Sequence, residues 1–356
     1  MRVRLSDITK YSKGTQINRD DLIEDGKYIY LNGGINPSGR WNAANVKGNT
    51  VTISEGGNSS GYVNYVTEPF WCGAHCYYFF DGPKNTRYLY YALKSQQERL
   101  FSIRSGACMP NIKRADLGKF EFEFDTDEGK QNKVVSVLSK VEVAIGERKR
   151  ELELLDKLIK ARFIEIFGDP ISNPMGWNKV EINDCLINIE NGKSFVCDDV
   201  MRVGNNPAIL KLSAVTYGIY NPDENKAIID ENDFIDNAEV HAGDLLFTRK
   251  NTPELVGMAA YVFSTPKKLM MPDLIFRLNT NNSCNKIYLW QLINHDLFRR
   301  KIQNIASGSA KSMSNISKEK LRKLVICLPP IELQNQFATF VAEINKSKLH
   351  CILLQN

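Results

Sequence analysis

The chain has 356 residues, of which 43% are hydrophobic and 24% charged, a composition typical of a globular protein long enough for two domains. The formal net charge of +5 permits nucleic-acid binding without requiring it. The sequence has no apolar run near the roughly 18 residues of a membrane span, and its eight cysteines show no disulfide spacing. We therefore expect a cytoplasmic protein with reduced thiols and no membrane partner.

The first globular segment is predicted over residues 1–129. Short β-branched and aromatic runs, among them YIYL, TVTI and CYYFF, alternate there with turns rich in glycine and asparagine. This alternation predicts a mixed α/β domain with a twisted, partly antiparallel sheet. Cys72, His75 and Cys76 lie close together in the sequence. Because zinc usually takes four ligands, we expect buried thiols here and no metal.

A long helix is predicted next, over residues 130–168. Its apolar residues recur every seven positions, which is the pattern of a coiled coil. This row consists of Leu138, Ile145, Leu152, Ile159 and Ile166. Gly168 and Pro170 then predict an abrupt end of the helix.

The acidic turn before this helix leaves an alternative open. It contains Asp125, Asp127, Glu128 and Lys130, and Glu-x-Lys occurs in nucleases. A two-metal site needs further carboxylates, whereas negative charge is favourable at a helix N-terminus. We favour the helix start and predict no catalytic residues.

A second globular segment is predicted over residues 169–330, with strand-like runs such as AILKL, DLLFT and AAYVF. A short second helix follows over residues 331–356, directly after Pro329 and Pro330. Phe337, Ile344 and Cys351 again recur every seven positions. Residues 130–168 and 331–356 are therefore expected to pair as an antiparallel coiled coil.

The chain also repeats itself. Asn111-Ile112 matches Asn315-Ile316, and Gln131-Asn132 matches Gln334-Asn335, at the entries to the two helices. A repeat of this length indicates a duplicated domain, since solenoid units span only about 20–50 residues. Two such halves paired through their helices would have a pseudo-twofold axis, which matches the pseudo-twofold symmetry of DNA.

With this order of segments, the sequence resembles the specificity subunits of type I restriction–modification enzymes. The resemblance covers essentially the whole chain, including the helix end ARFIEIFGDPISNPMGW and the helix entry LPPIELQNQFATFVAEI. It implies that each globular segment is a target-recognition domain that reads half of an interrupted site in double-stranded DNA. The helices would separate the halves and dock two methyltransferase subunits.

The resemblance also implies where the chemistry lies. The methyltransferase partners would bind S-adenosylmethionine and flip out an adenine. A restriction (motor–nuclease) subunit that consumes ATP would join for cleavage. This chain would bind no cofactor itself, and S-adenosylmethionine, ATP and Mg²⁺ are expected on the partner subunits.

Candidate DNA-binding residues are the cations and hydrogen-bonding side chains of the glycine-centred loops, since phosphates and base edges need both. In the first segment they are Asn32, Arg40, Trp41, Asn58, Ser59, Arg104, Ser105, Lys113 and Arg114. In the second they are Arg249, Lys250, Asn251, Ser307, Ser309, Lys311 and Ser312.

Three alternatives stay open on the sequence alone. The chain could be the recognition subunit of another restriction class with the same architecture. It could be an enzyme with a cryptic nuclease site at residues 125–130, or a coiled-coil dimerisation protein with no nucleic-acid role. Metal-dependent cleavage of DNA by the isolated chain would favour the cryptic nuclease. Absence of salt-sensitive DNA binding would favour the dimerisation protein.

Overall fold

A computed structural model of the chain describes residues 1–106, 108–195, 197, 199–307 and 313–353, with side chains to residue 348. The chain divides into two compact units, unit 1 (residues 1–146) and unit 2 (residues 147–356). Each unit combines β-sheets with helices, which confirms the predicted mixed α/β class.

Unit 1 is built on a four-stranded antiparallel sheet. The strands of unit 1 as a whole are β1 (Arg2–Arg4), β2 (Lys10–Lys13), β3 (Tyr28–Leu31), β4 (Gly39–Trp41), β5 (Thr50–Ser54), β6 (Val63–Val66), β7 (Trp71–Cys72), β8 (Cys76–Phe80) and β9 (Glu121–Glu123). Its helices are α1 (Leu5–Ile8), α2 (Thr86–Lys94), α3 (Gln97–Ser102), α4 (Arg114–Gly118) and the start of α5 (Glu128–Phe167). The main sheet has the order β2-β8-β5-β6, beside a three-stranded sheet β4-β3-β7 and the pair β1-β9.

Unit 2 repeats this plan. Its strands are β10 (Asn178–Glu181), β11 (Leu186–Asn191), β12 (Ala208–Leu210), β13 (Asn225–Ala227), β14 (Leu245–Thr248), β15 (Lys250–Asn251), β16 (Ala259–Tyr261), β17 (Leu269–Met270), β18 (Ile275–Thr280), β19 (Ser314–Asn315) and β20 (Val325–Leu328). Its helices are the end of α5, α6 (Ser213–Thr216), α7 (Lys286–Asn294), α8 (Asp296–Asn304), α9 (Lys318–Arg322) and α10 (Ile331–Leu353).

The sheet orders establish the duplication. In unit 2 the main sheet runs β11-β18-β14-β16, the three-stranded sheet runs β13-β12-β17, and β10 pairs with β20. Each order is that of unit 1 with the equivalent strands substituted. Even the exceptional parallel pair recurs, as β3 with β7 and as β12 with β17.

The same helix face covers the main sheet in both units. Leu89 and Leu93 of α2 are buried in unit 1, and Leu289 and Ile293 of α7 are buried in unit 2. A spacing of four residues places both side chains on one face of a helix. Burying each of them stabilises its unit by roughly 1.5–3 kcal/mol.

The start of α5 accounts for the acidic turn in the sequence. The Asp127 carboxylate accepts hydrogen bonds from the backbone N–H groups of Gly129, at 2.8 Å, and Lys130, at 3.1 Å. Asp125 in turn accepts the N–H of Asp127 at 2.9 Å. These are the contacts of a helix N-terminus, where free N–H groups favour an acidic side chain.

Within unit 2 the end of α5 packs antiparallel against α10. The Phe163 and Phe337 rings lie 5.6 Å apart, and Phe167 and Phe337 lie 5.3 Å apart. Further along, the Asp156 carboxylate pairs with the Lys348 ammonium. The two helices therefore run in opposite directions, as predicted from the pairing of their two apolar rows.

The buried row of α5 differs from the predicted seven-residue row. Ile159 is buried as predicted, but Phe163 and Phe167 continue the buried face at a spacing of four residues. Leu138 in unit 1 is 37% exposed, although the repeat makes it equivalent to the fully buried Val341. Val341 belongs to the buried cluster of unit 2 that also contains Ile159, Phe163 and Phe167 of α5. The seven-residue pattern predicted a continuous buried seam, whereas the buried hydrophobic residues of α5 are these three.

No helix in the described ranges combines the length and the apolar character that crossing a membrane requires.

Candidate nucleic-acid interface

A tight loop follows the central strand of the main sheet in each unit. In unit 1 it spans residues 55–61, and the Gly61 N–H donates back to the Ser54 carbonyl at 2.8 Å. In unit 2 it spans residues 249–257, and the Gly257 N–H donates to the Thr248 carbonyl at the same distance. Both glycines have positive φ, +85° and +75°, which few other residues adopt. We call these segments the strand loops.

A second loop leaves α3 or α8 and lies against the strand loop. Ser105 and Asn111 exchange two backbone hydrogen bonds of 2.8 Å, and Ser307 and Asn315 do the same in unit 2. We call these segments, residues 104–113 and 305–317, the bridge loops. We call the strand loop and the bridge loop of one unit its paired loops.

One backbone hydrogen bond joins the two loops in each unit. The Ile112 N–H donates to the Glu55 carbonyl at 2.9 Å, and the Ile316 N–H donates to the Arg249 carbonyl at 2.8 Å. The predicted residues Asn58 and Ser59 lie in the strand loop of unit 1, and Arg249, Lys250 and Asn251 lie in that of unit 2. The structure shows that these loops are one feature in two copies, and that each copy lies beside the predicted bridge loop of its own unit.

In unit 1 a charged cluster that the sequence did not single out surrounds the start of the strand loop. The Glu55 carboxylate is 16% exposed and pairs with the Lys13 ammonium and, at 3.2 Å, with Nδ1 of His75. The Tyr77 ring lies beneath the Lys13 ammonium, 5.5 Å from its centre. Burial and the nearby Glu55 charge raise the pKa of Tyr77 to about 12. The phenol is therefore neutral and donates to the Ile112 carbonyl.

The predicted residues of the paired loops in unit 1 have mixed surroundings. Asn58 is exposed, whereas the Ser59 hydroxyl donates to the Gly33 carbonyl at 2.7 Å. The Arg104 guanidinium donates to the Phe101 carbonyl at 2.7 Å and to the Asn58 carbonyl at 3.4 Å. Ser105 donates to the Asn111 side chain at 3.1 Å. Arg104 and Ser105 thus hold the loops together.

Lys113 and Arg114 continue the bridge loop into α4. Lys113 is exposed. The Arg114 guanidinium donates to the Tyr11 carbonyl at 3.2 Å and lies over the Tyr11 ring. Its equivalent in unit 2 is Lys318, whose ammonium donates to the Ile189 carbonyl at 2.6 Å.

The remaining predicted residues of unit 1 divide into two groups. Asn32 is close to the charged cluster, since its side-chain oxygen accepts the His75 N–H at 3.2 Å. Arg40 instead donates to the carbonyls of residues 26 and 27, and the Trp41 ring meets the Trp71 ring at 6.5 Å. Their contacts are with the β4-β3-β7 sheet and its connections.

In unit 2 the strand loop begins with Arg249. Its guanidinium lies over the Phe276 ring at 5.4 Å, and makes long hydrogen bonds of 3.4 Å to the Asn315 side chain and to the Asp273 carbonyl. Lys250 is half-buried. Asn251 is 7% exposed, and its amide donates to the Thr216 hydroxyl at 3.0 Å. The Asn251 side chain is therefore buried and ties the strand loop to α6.

The bridge loop of unit 2 is described in part. Ser307 is exposed and its hydroxyl donates to the Asn315 carbonyl at 3.3 Å. Ser309, Lys311 and Ser312 lie outside the described residues, and their DNA contacts stay a prediction.

Positive charge converges on the paired loops of unit 2. Burial lowers the pKa of Lys318 from its ordinary value, the neighbouring charges of Arg322 and Arg249 lower it further, and the Glu190 carboxylate opposes the shift. The Lys318 ammonium and the Arg249 guanidinium both lie near the Phe276 ring, 5.7 and 5.4 Å from its centre. A negative charge beside them would offset their mutual repulsion. A phosphate group supplies such a charge, so the cluster suits a nucleic-acid backbone.

The arrangement brings charged and hydrogen-bonding side chains together in each unit. It offers cations for phosphates together with a carboxylate, amides and hydroxyls for base edges. In the described ranges, histidine, cysteine and acidic side chains do not gather in a group of three or more that could hold a metal ion. Cys72 and Cys76, the thiols of the one sequence cluster, are both buried.

The sequence matches one protein-family model over most of its length. The model describes the type I restriction modification DNA specificity domain and matches residues 1–155 and 174–350. The two matched stretches correspond to the two copies of the duplicated plan.

Two relatives show the same likeness. A protein of Mycoplasma genitalium named as a type I specificity subunit is 35% identical over 130 residues, which are 36% of this chain and 34% of the relative. One of Mycoplasma pneumoniae with the same designation is 31% identical over 194 residues, 54% of this chain and 52% of the relative. The chain thus matches about a third to a half of the length of these relatives.

A solved structure shares the fold. The crystal structure of the type I restriction–modification S subunit from M. genitalium superposes with a TM-score of 0.64 at 17% sequence identity. The superposition covers 100% of this chain and 93% of the other.

Proposed function

The chain belongs to the family of type I restriction–modification specificity subunits, and from that premise we propose that it reads a divided DNA site, each unit binding one half. The observation that carries the proposal is the recurrence of the paired loops. The two units keep the same backbone hydrogen bonds around these loops and carry different side chains on them. A shared scaffold with different side chains suits two readers of different sequences.

The loops offer both kinds of contact that sequence-specific binding needs. Exposed cations such as Lys113 suit phosphates, which position a protein without selecting a sequence. Side chains held in one orientation, such as Glu55 and Arg249, suit base edges, because a defined hydrogen-bond geometry is what separates one base pair from another.

We further propose that the long helices dock two methyltransferase subunits. In unit 1 the first half of α5 carries Val134, Val137, Leu138 and Val141, all of them exposed. Such a row on a helix surface suits a protein partner. S-adenosylmethionine, ATP and Mg²⁺ belong to the methyltransferase and restriction subunits in this proposal, and the complex acts on DNA in the cytoplasm. The chain itself supplies recognition and no catalytic step.

The test is to express the chain with its cognate methyltransferase subunit and sequence the methylated DNA. We expect a two-part methylated motif with both proteins, and no such motif when either is omitted. Binding of the complex to that motif should weaken as salt rises, because phosphate contacts release counterions. A motif that is unchanged without the chain, or methyl transfer by the purified chain alone, would contradict the proposal.

A further inference from the structure

Glu55 and Arg249 occupy the same place in the two units. The Glu55 N–H donates to the His75 carbonyl at 2.9 Å, and the Arg249 N–H donates to the Leu274 carbonyl at 3.0 Å. Their own carbonyls accept the N–H groups of Ile112 and Ile316. Each residue directly follows the central strand and opens the strand loop. The duplicated fold therefore presents a carboxylate in unit 1 and a guanidinium in unit 2 from one backbone position.

The surroundings of this position are matched as well. Tyr77 of β8 pairs with Ile53 and Phe276 of β18 pairs with Phe247, so the two rings share a register position. The Tyr77 ring lies beneath Lys13, the partner of Glu55, and the Phe276 ring lies beneath Arg249 itself. The Lys13 ammonium that pairs with Glu55 is 5.5 Å from the Tyr77 ring centre, and the Arg249 guanidinium is 5.4 Å from that of Phe276. Each ring restricts the orientation of the cation above it, Arg249 directly and Lys13 as the partner of Glu55, and this reduces the entropy lost on binding.

A phosphate contact does not explain the carboxylate. Glu55 would repel a phosphate, so among DNA groups only a donor on a base edge suits it. The Glu55 carboxylate pairs with the side chains of Lys13 and His75, which are 41% and 61% exposed. A carboxylate has about four lone-pair sites, so these partners can orient it and leave acceptor capacity for a base.

Arg249 has donors to spare. Its Nε and one Nη1 hydrogen make the two long hydrogen bonds of 3.4 Å. In the part of the chain that the structure describes, its Nη2 group makes no hydrogen bond. A guanidinium presents five donors in a planar fork, and its commonest specific partner in DNA is the O6 and N7 pair of guanine.

We propose that this position determines one base in each half-site: Glu55 accepts a hydrogen bond from the amino group of a cytosine, and Arg249 donates to a guanine. The inference rests on the proposed function and makes it specific. Both units would then read a G·C pair at this point, unit 1 from its cytosine edge and unit 2 from its guanine edge.

The test uses Glu55→Gln and Arg249→Gln in the full chain, each assembled with the cognate methyltransferase subunit. Glutamine pairs by preference with adenine. Each variant should therefore accept A·T at a single G·C position of one half-site, with discrimination relaxed on the order of ten- to a hundredfold. The other half-site should keep its bases. Methylome sequencing gives the motif, and binding to duplexes with each base pair at that position gives the ratio.

Controls and a second pair of variants keep the test decisive. Lys10→Gln and Lys286→Gln change lysines outside the paired loops: Lys10 begins β2 and pairs with Asp81, and Lys286 begins α7 and donates to the Gly243 carbonyl. The motif should not change in either variant. If a glutamine variant fails to assemble, Glu55→Asp and Arg249→Lys test the same positions. They keep the charge but alter reach or fork geometry, and should relax the same base pair.

The outcomes separate the two proposals. A wild-type complex without a two-part motif would overturn the proposed function. If the wild-type complex has such a motif, three results for the variants would overturn this inference alone. The variants could relax a position that is A·T in the motif, lose affinity equally for all sequences, or keep full discrimination.

Discussion

The Asn285 side-chain amide donates to the side-chain oxygen of Asn335 at 2.8 Å and so joins the start of α7 to the N-terminal part of α10. Unit 1 has the same hydrogen bond, from Asn85 to Asn132 at 2.9 Å, between α2 and α5. Asn85 and Asn285 also cap their helices. The link between recognition domain and helix is thus part of the duplicated design, and its contribution to stability can be measured twice in one chain.

Removing one partner of this link should destabilise its unit modestly. Asn335→Ala and Asn132→Ala each lose one hydrogen bond, and we expect the free energy of unfolding to fall by about 0.5–1.5 kcal/mol. Urea unfolding measures the change, with Asn304→Ala, an exposed helix position, as a control that shifts by less than about 0.5 kcal/mol. Effects equal to that of the control would show that the link contributes nothing.

The two copies should differ where burial differs. Phe337 is fully buried between the rings of Phe163 and Phe167, whereas its repeat equivalent Val134 is 40% exposed. Phe337→Ala should lower the free energy of unfolding by about 3–5 kcal/mol, because a cavity is left in the core. Val134→Ala should change it by less than about 1 kcal/mol. Similar losses at both positions would mean that the end of α5 does not cover α10.

The cations of the strand loop should make the binding depend on salt. Lys250 follows Arg249 in unit 2, and we expect its ammonium to contact a phosphate. Lys250→Ala should then weaken binding of the assembled complex equally for cognate and unrelated DNA, and reduce the slope of log K against log salt by about 0.9. Lys286→Ala, at the start of α7 where the ammonium donates to the Gly243 carbonyl, serves as the matched control. A loss confined to cognate DNA would instead indicate a base contact.

His295 should make the stability of unit 2 depend on pH. Its Nδ1 accepts the Leu297 N–H at 3.3 Å and caps α8, a role that protonation of Nδ1 removes. Burial against Phe163 lowers the pKa of His295 below its ordinary value of 6.5, the Lys160 charge lowers it further, and the carboxylates of Asp296 and Asp169 oppose the shift. The unfolded chain therefore takes up the proton more readily than the folded one.

The sign follows from that difference. The contribution of neutral His295 is fully present above its ordinary pKa and is lost as the pH falls below it. His295→Asn keeps a capping side chain that does not titrate. Between about pH 7.5 and 5.5, wild type should lose more stability than this variant, by up to about 1 kcal/mol. Parallel pH profiles for the two proteins would contradict the assignment.

Much of the fold could be predicted from the sequence because the duplication leaves local marks. The matched pairs at Asn111 and Asn315 now have a cause: each closes its bridge loop through the same two backbone hydrogen bonds. The starts of both long helices follow from capping residues and prolines. The buried row of α5 could not be predicted in full. A seven-residue pattern shows which side chains can face a partner helix, but it does not show how far along α5 that partner helix extends.

The candidate site was predictable as a set of loops but not as a set of contacts. The strand loops differ in length, residues 55–61 against 249–257, so aligned letters do not pair Glu55 with Arg249. Only the backbone hydrogen bonds of the two loops reveal the equivalence. Lys13 and His75 were missed for a related reason. Lys13 ends β2 and His75 lies in the turn before β8, and a single histidine in a sequence carries no signal of the carboxylate that folding brings to it.

The most direct test of the central claim exchanges one recognition domain. Residues 1–125 are replaced by the corresponding part of another type I specificity subunit, and the methylated motif is determined by sequencing DNA from cells that also express the cognate methyltransferase subunit. The account predicts that one half of the two-part motif changes to that of the donor while the other half stays the same. A motif in which both halves change, or neither does, would contradict the claim that each unit reads its own half-site.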